Sequence, residues 1–167
     1  MKKLFFLLIL MLLSTPFSVR AQTGVYAAFS ASNFNTDDAG WQYGPTVGLY
    51  HDFWHLPTVG AGVDIRGSFL GTGSTKIYSG LLGPRIQVRP PILPLQPYVE
   101  GLVGVGHAEL FGESATKLEY QVVAGVDWTI FPRIDWRVAE FSYAGLPGFS
   151  GGFNPVGVST GLVLRLP

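Results

Sequence analysis

Tyr120-Gln121-Val122-Val123-Ala124-Gly125-Val126-Asp127-Trp128-Thr129-Ile130 changes character at every second residue. Tyr120, Val122, Ala124, Val126, Trp128 and Ile130 form one set, and Gln121, Val123, Gly125 and Asp127 the other. Successive side chains leave a β-strand on opposite faces, so a period of two marks a strand with one apolar face. The pattern recurs on either side of this stretch. Ala61, Val63, Ile65 and Phe69 alternate with Gly60, Gly62, Asp64, Arg66 and Ser68. Leu82, Pro84, Ile86 and Val88 face away from Gly83, Arg85, Gln87 and Arg89. Val99, Gly101, Val103 and Val105 oppose Tyr98, Glu100, Leu102 and Gly104, and Val158, Thr160, Leu162 and Leu164 oppose Gly157, Ser159, Gly161, Val163 and Arg165. One face is nearly pure hydrocarbon, and the other is small or charged.

Extended over the chain, this reading predicts eight strands at roughly 23–32, 42–53, 58–70, 76–89, 96–108, 117–130, 134–143 and 155–166. Their connections alternate. Trp54–Pro57, Pro90–Leu95 and Phe131–Arg133 are short and marked by proline. Asn33–Gly40, Gly71–Thr75, Glu109–Thr116 and Ala144–Asn154 are mostly longer and richer in Gly, Ser, Asn or acids. Short turns at one rim and longer loops at the other predict an all-β fold, an eight-stranded antiparallel up-and-down transmembrane β-barrel. Pro45 and Pro84 interrupt expected strands, which a closed ladder resists, and are read as bulges or strand-end positions.

Composition supports the membrane setting. The 167 residues are 47% hydrophobic and only 13% charged, against about 25% charged in a typical soluble domain. A lipocalin-like barrel or an apolar sandwich would also alternate, but would need a polar exterior. Here the charges are too few to cover an outside and enough to fill a narrow inside. Aromatics gather at strand ends: Trp54, Trp128, Phe131 and Trp136 by the short turns, and Trp41, Tyr43, Phe69, Tyr78, Phe111 and Tyr143 by the long loops. Two girdles flanking an aliphatic band match the two interfaces of a bilayer.

The N-terminus reads as a secretory signal. Lys2 and Lys3 precede the apolar run Leu4–Leu13, and Val19-Arg20-Ala21 supplies small residues for cleavage after Ala21. Residues 1–21 are therefore expected to be removed, leaving 22–167 as a single barrel domain with eight basic and eleven acidic side chains. That balance and the absence of a basic patch argue against nucleic-acid binding. The chain has no cysteine, which excludes disulfides, thiolate metal sites and a cysteine nucleophile.

The charged positions of the inner face form the candidate site. Arg85 and Glu100 fall at similar heights on adjacent strands, as do Asp127 and Arg137, and Asp64, Arg66, Asp135 and Arg165 lie nearby. Charges facing a narrow interior must be paired or hydrated. They make either a gated ion path or an internal salt-bridge plug, and an eight-stranded lumen has room only for side chains. His51 and His55 belong to the short-turn end and His107 to the other, too far apart for one metal site. Gly101-x-x-Gly-x-Gly106 lies within a strand with no helix after it, so it does not read as a phosphate loop. No cofactor is implied.

Gly83-Pro84-Arg85, Gln96-Pro97-Tyr98-Val99-Glu100-Gly101 and Gly104-Val105-Gly106-His107-Ala108 resemble the central hairpin of OmpA-like and OmpX-like outer-membrane barrels. Gly125-Val126-Asp127 and Trp136-Arg137-Val138-Ala139-Glu140-Phe141-Ser142-Tyr143 resemble their sixth and seventh strands. The resemblance implies a Gram-negative outer-membrane barrel without a catalytic centre, monomeric, serving envelope integrity or surface contact. Its implied partners are outer-membrane lipids and the barrel-insertion machinery. Two departures stand out: no peptidoglycan-binding domain follows, and Leu164-Arg165-Leu166-Pro167 lacks the terminal aromatic of the usual assembly signal. The stretch from Phe141 to Pro155 loosely resembles that holding the His-x-Ser-Asn core of lipid A deacylases. Tyr143 stands where the histidine would be, so no base would activate a serine.

Overall fold

The computed structural model describes residues 22–34, 40–56, 58–73, 75–110, 113–147 and 154–166. The expected signal segment, the middle of both longest loops and Phe111 lie outside the described residues. The strands are β1 (Gln22–Asn33), β2 (Trp41–His55), β3 (Val59–Thr72), β4 (Thr75–Val88), β5 (Leu95–Leu110), β6 (Glu113–Phe131), β7 (Ile134–Gly145) and β8 (Val156–Leu166). Each pairs antiparallel with its neighbour in sequence, and β1 pairs with β8 to close the barrel. Closure removes the sheet edge, which a wall facing hydrocarbon requires because lipid offers no hydrogen bonds.

The burial pattern is inside out. Val103, Val122, Leu82 and Leu162 are 56–58% exposed on the outer wall, while Asp64, Arg85 and Asp127 are at most 2% exposed inside. Trp54, Trp128, Phe131 and Trp136 ring the short-turn end, and Trp41, Tyr43, Phe69 and Tyr143 the other, all exposed outward.

Two sequence expectations change. Glu109–Thr116 is mostly strand rather than loop, since β5 and β6 stay paired up to Leu110 opposite Glu113. Ser114 and Thr116 are exposed and Ala115 half-buried here, so alternation fades while backbone pairing continues. The prolines are neither bulges nor strand ends. Pro45 lies opposite Phe29, and Pro84 opposite Val63, in unbroken register. Each has a glycine before it that lets the neighbouring strand close in. A Cβ on Gly44 would collide with the Phe69 carbonyl oxygen, and one on Gly83 with that of Gly101. The carbonyl that finds no proline N–H rests instead against the glycine Cα.

This contrast is testable. Gly83→Ala is expected to destabilise the folded barrel by about 1–3 kcal/mol, the usual cost of forcing extra volume into packed structure. Gly101→Ala, whose Cβ would meet nothing within 4 Å, should stay within about 0.5 kcal/mol of wild type. Urea titration of the vesicle-folded protein compares the two.

Candidate functional site

Three arginines and three carboxylates close a ring across the middle of the lumen. Glu100 of β5 takes Arg85 of β4 on one oxygen and Arg66 of β3 on the other. Arg85 continues to Asp127 of β6 at 3.2 Å, and Asp127 accepts from Arg137 Nε of β7 at 3.0 Å. Arg137 reaches Glu140 at 2.9 Å, and Glu140 returns to Arg66 Nη1 at 3.0 Å. Asp64 hangs from the ring, accepting from Arg66 Nε at 3.2 Å and from the Tyr26 hydroxyl at 2.9 Å. Every ionic side chain here is at most 2% exposed.

Tyrosines fill the space between the guanidinium planes. Arg85 lies between Tyr50 and Tyr98, 4.3 and 3.8 Å from their ring centroids. Arg137 lies between Tyr98 and Tyr26, at 4.8 and 4.2 Å. Tyr98 also donates to Glu140 at 2.6 Å. Glycines make room for these rings on the barrel wall: a Cβ on Gly24, Gly48 or Gly125 would strike Tyr50, Tyr26 or Tyr98 respectively. Stacking on desolvated cations and hydrogen bonds to every acid offset the cost of burying the charges.

All eight sequence-selected charges face inward, but they form two groups. Asp64, Arg66, Arg85, Glu100, Asp127 and Arg137 belong to the ring level. Asp135 and Arg165 pair at 3.0 Å nearer the short turns, on the same side as Asp52 with Arg89 at 2.9 Å. Sequence reasoning missed Glu140, which closes the ring. Strict alternation from Arg137 would place it on the lipid face. A register shift between Arg137 and Glu140 in the β7–β8 pairing turns both inward. A lone carboxylate facing hydrocarbon was the signal available, because its cost demands a bulge.

Above the ring, toward the long loops, lies a cavity of about 30 Å³. Ser159, Ser30, Thr46 and Ser68 run around its wall as linked hydroxyls, with spacings of 2.8, 2.7 and 3.0 Å. Ser79 stands opposite Ser68 and hydrogen-bonds Glu119 of β6. Phe34, Leu70, Ile77, Ala108 and Leu146 roof this space as a buried apolar cluster.

His51 and His107 hydrogen-bond across neighbouring strands, and the His55 side chain lies outside the described residues. His51 meets Thr23 at 2.8 Å near one rim, and His107 meets Thr116 at 2.8 Å near the other. Glu109 lies 3.7 Å from His107, beyond hydrogen-bond range, and the pair is open to solvent. Among the described residues, no three metal-ligating side chains come together.

An apolar outer wall between aromatic girdles and a closed charged interior define the class: a closed eight-stranded β-barrel of transmembrane type. Solved structures agree on the fold. Neisserial surface protein A is 16% identical with a TM-score of 0.57, over 87% of this chain and 96% of that one. Ail, the attachment invasion locus protein of Yersinia pestis, is 18% identical with a TM-score of 0.52, over 87% and 97%. A de novo designed transmembrane barrel matches as well, at 12% identity and a TM-score of 0.53 over 87% and 95%. Similarity shared with a designed protein speaks for architecture and leaves activity open. No protein-family model matches the chain, and no curated protein sequence does.

Proposed function

We propose that this chain is a non-enzymatic, monomeric protein of the bacterial outer membrane, exported with a cleaved signal and placed by the barrel-insertion machinery. Its short turns face the periplasm and its long loops the outside, where it serves envelope integrity or surface contact. The closed Arg–carboxylate ring carries this reading. It spends the lumen on mutual neutralisation, stacks three tyrosines into the remaining space, and leaves the outer wall and loops to act. Two similar barrels are, by their names, a surface protein and an attachment invasion locus protein, which supports a role at the cell surface.

Planar-bilayer recordings test the proposal. The wild-type protein is expected to show no steady conductance, whereas Arg85→Ala should flicker open by removing one link of the ring. Stable wild-type channels would overturn the plug and favour a narrow ion pore. A mass change in lipid A extracted from cells that express the protein would overturn the non-enzymatic reading.

A further inference from the structure

Glu119 is 5% exposed and, among the described residues, makes no ion pair; its partner is the Ser79 hydroxyl. It reaches that hydroxyl by lying over Gly106, where a Cβ would sit 2.5 Å from Glu119 Oε2. Two residues along the same inner face, the buried Oε1 of Gln121 has no donor. Both line the outer cavity, whose other polar wall is the run of hydroxyls from Ser159 to Ser68. Arg66 lies at its floor, yet Nε and both Nη atoms are already taken by Asp64, Glu100 and Glu140. With Asp64 counted, the ring level holds four carboxylates against three guanidiniums, so the floor offers Glu119 no surplus positive charge.

We infer that this cavity is a binding site for a single monovalent alkali cation, with Glu119 as its counter-ion. The donor atoms on offer are oxygens: the Glu119 carboxylate, the Gln121 amide oxygen, and hydroxyls that keep a lone pair while donating around the belt; the other carboxylate of the wall, Glu140, is already held by Arg66, Arg137 and Tyr98. Hard oxygen donors select hard cations, and a single carboxylate matches a single charge. The volume of about 30 Å³ is roughly twice what one water needs, enough for an ion and one water. A cation between them answers the charge of Glu119 and the missing partner of the Gln121 oxygen together. Phe34, Leu70, Ile77 and Leu146 line the same cavity from its apolar side.

The test uses the full mature barrel folded in detergent with Rb⁺ as the only alkali ion, then crystallised. An anomalous peak beside Glu119 in the wild type, absent in Glu119→Gln, is expected. In parallel, thermal unfolding in NaCl is compared with choline chloride at equal ionic strength. The wild type should melt higher in NaCl and Glu119→Gln equally in both. An empty cavity in the Rb⁺ crystals, or a wild-type melting point indifferent to the cation, overturns the site. So does an infrared carbonyl band of a protonated acid that Glu119→Gln removes. The wild-type measurements stand alone if the variant fails to fold.

Discussion

Glu100→Ala should lower the stability of the membrane-folded barrel by about 3–5 kcal/mol, the cost of stranding a buried partner, less where lumen water reaches it. The Glu100 side chain is fully buried and holds Arg85 and Arg66 at once, so its loss opens the ring at two adjacent links. Neither arginine can turn to water without leaving its place, for Arg85 is clamped between Tyr50 and Tyr98. The double change Glu100→Ala with Arg85→Ala removes the stranded charge along with its partner. It should therefore cost less than the two single changes added together, and the difference measures their coupling. Urea titrations of the four proteins folded into vesicles supply the cycle. Strict additivity would mean that water, not Glu100, neutralises Arg85.

Val122→Arg should cost about 2–4 kcal/mol, the price of a cation facing lipid near the bilayer midplane. Val122 is 58% exposed on β6 opposite Gly101, and its neighbour Val123 lies opposite Glu100 of the ring that crosses the middle of the lumen. Val103 of the adjacent strand is 56% exposed and should behave alike. The comparison is Ile92→Arg. Ile92 is 90% exposed in the turn between β4 and β5, outside the hydrocarbon, and its replacement should stay within about 0.5 kcal/mol. Equal effects at Val122 and Ile92 would show that exposure in this barrel means water, and the inside-out assignment would fail. The measurement is the urea midpoint of folding in vesicles.

The period of two, the paucity of charge, and the aromatic strand ends were enough to read an inside-out eight-stranded barrel from the sequence. Each is a local property: side chains alternate on any strand, and hydrocarbon on one face of every strand must meet lipid or a core. The same parity placed Arg85 with Glu100, where β4 and β5 pair without a register shift, and Asp127 with Arg137, which stay opposite each other between two shifts in the β6–β7 pairing. Where pairing departs from local rules, alternation alone misplaces side chains. Glu140 completes the ring because β7 shifts register against both β6 and β8 just after Arg137, and a bulge is a property of paired strands together. The Gly44-Pro45 and Gly83-Pro84 pairs looked like interruptions, yet only the approaching carbonyls of Phe69 and Gly101 show how the ladder accommodates them. The tyrosines that sandwich Arg85 and Arg137, and the hydroxyl belt facing Glu119, join residues from distant strands. Alternation says which face a side chain takes, while barrel closure and shear set which side chains meet across the lumen.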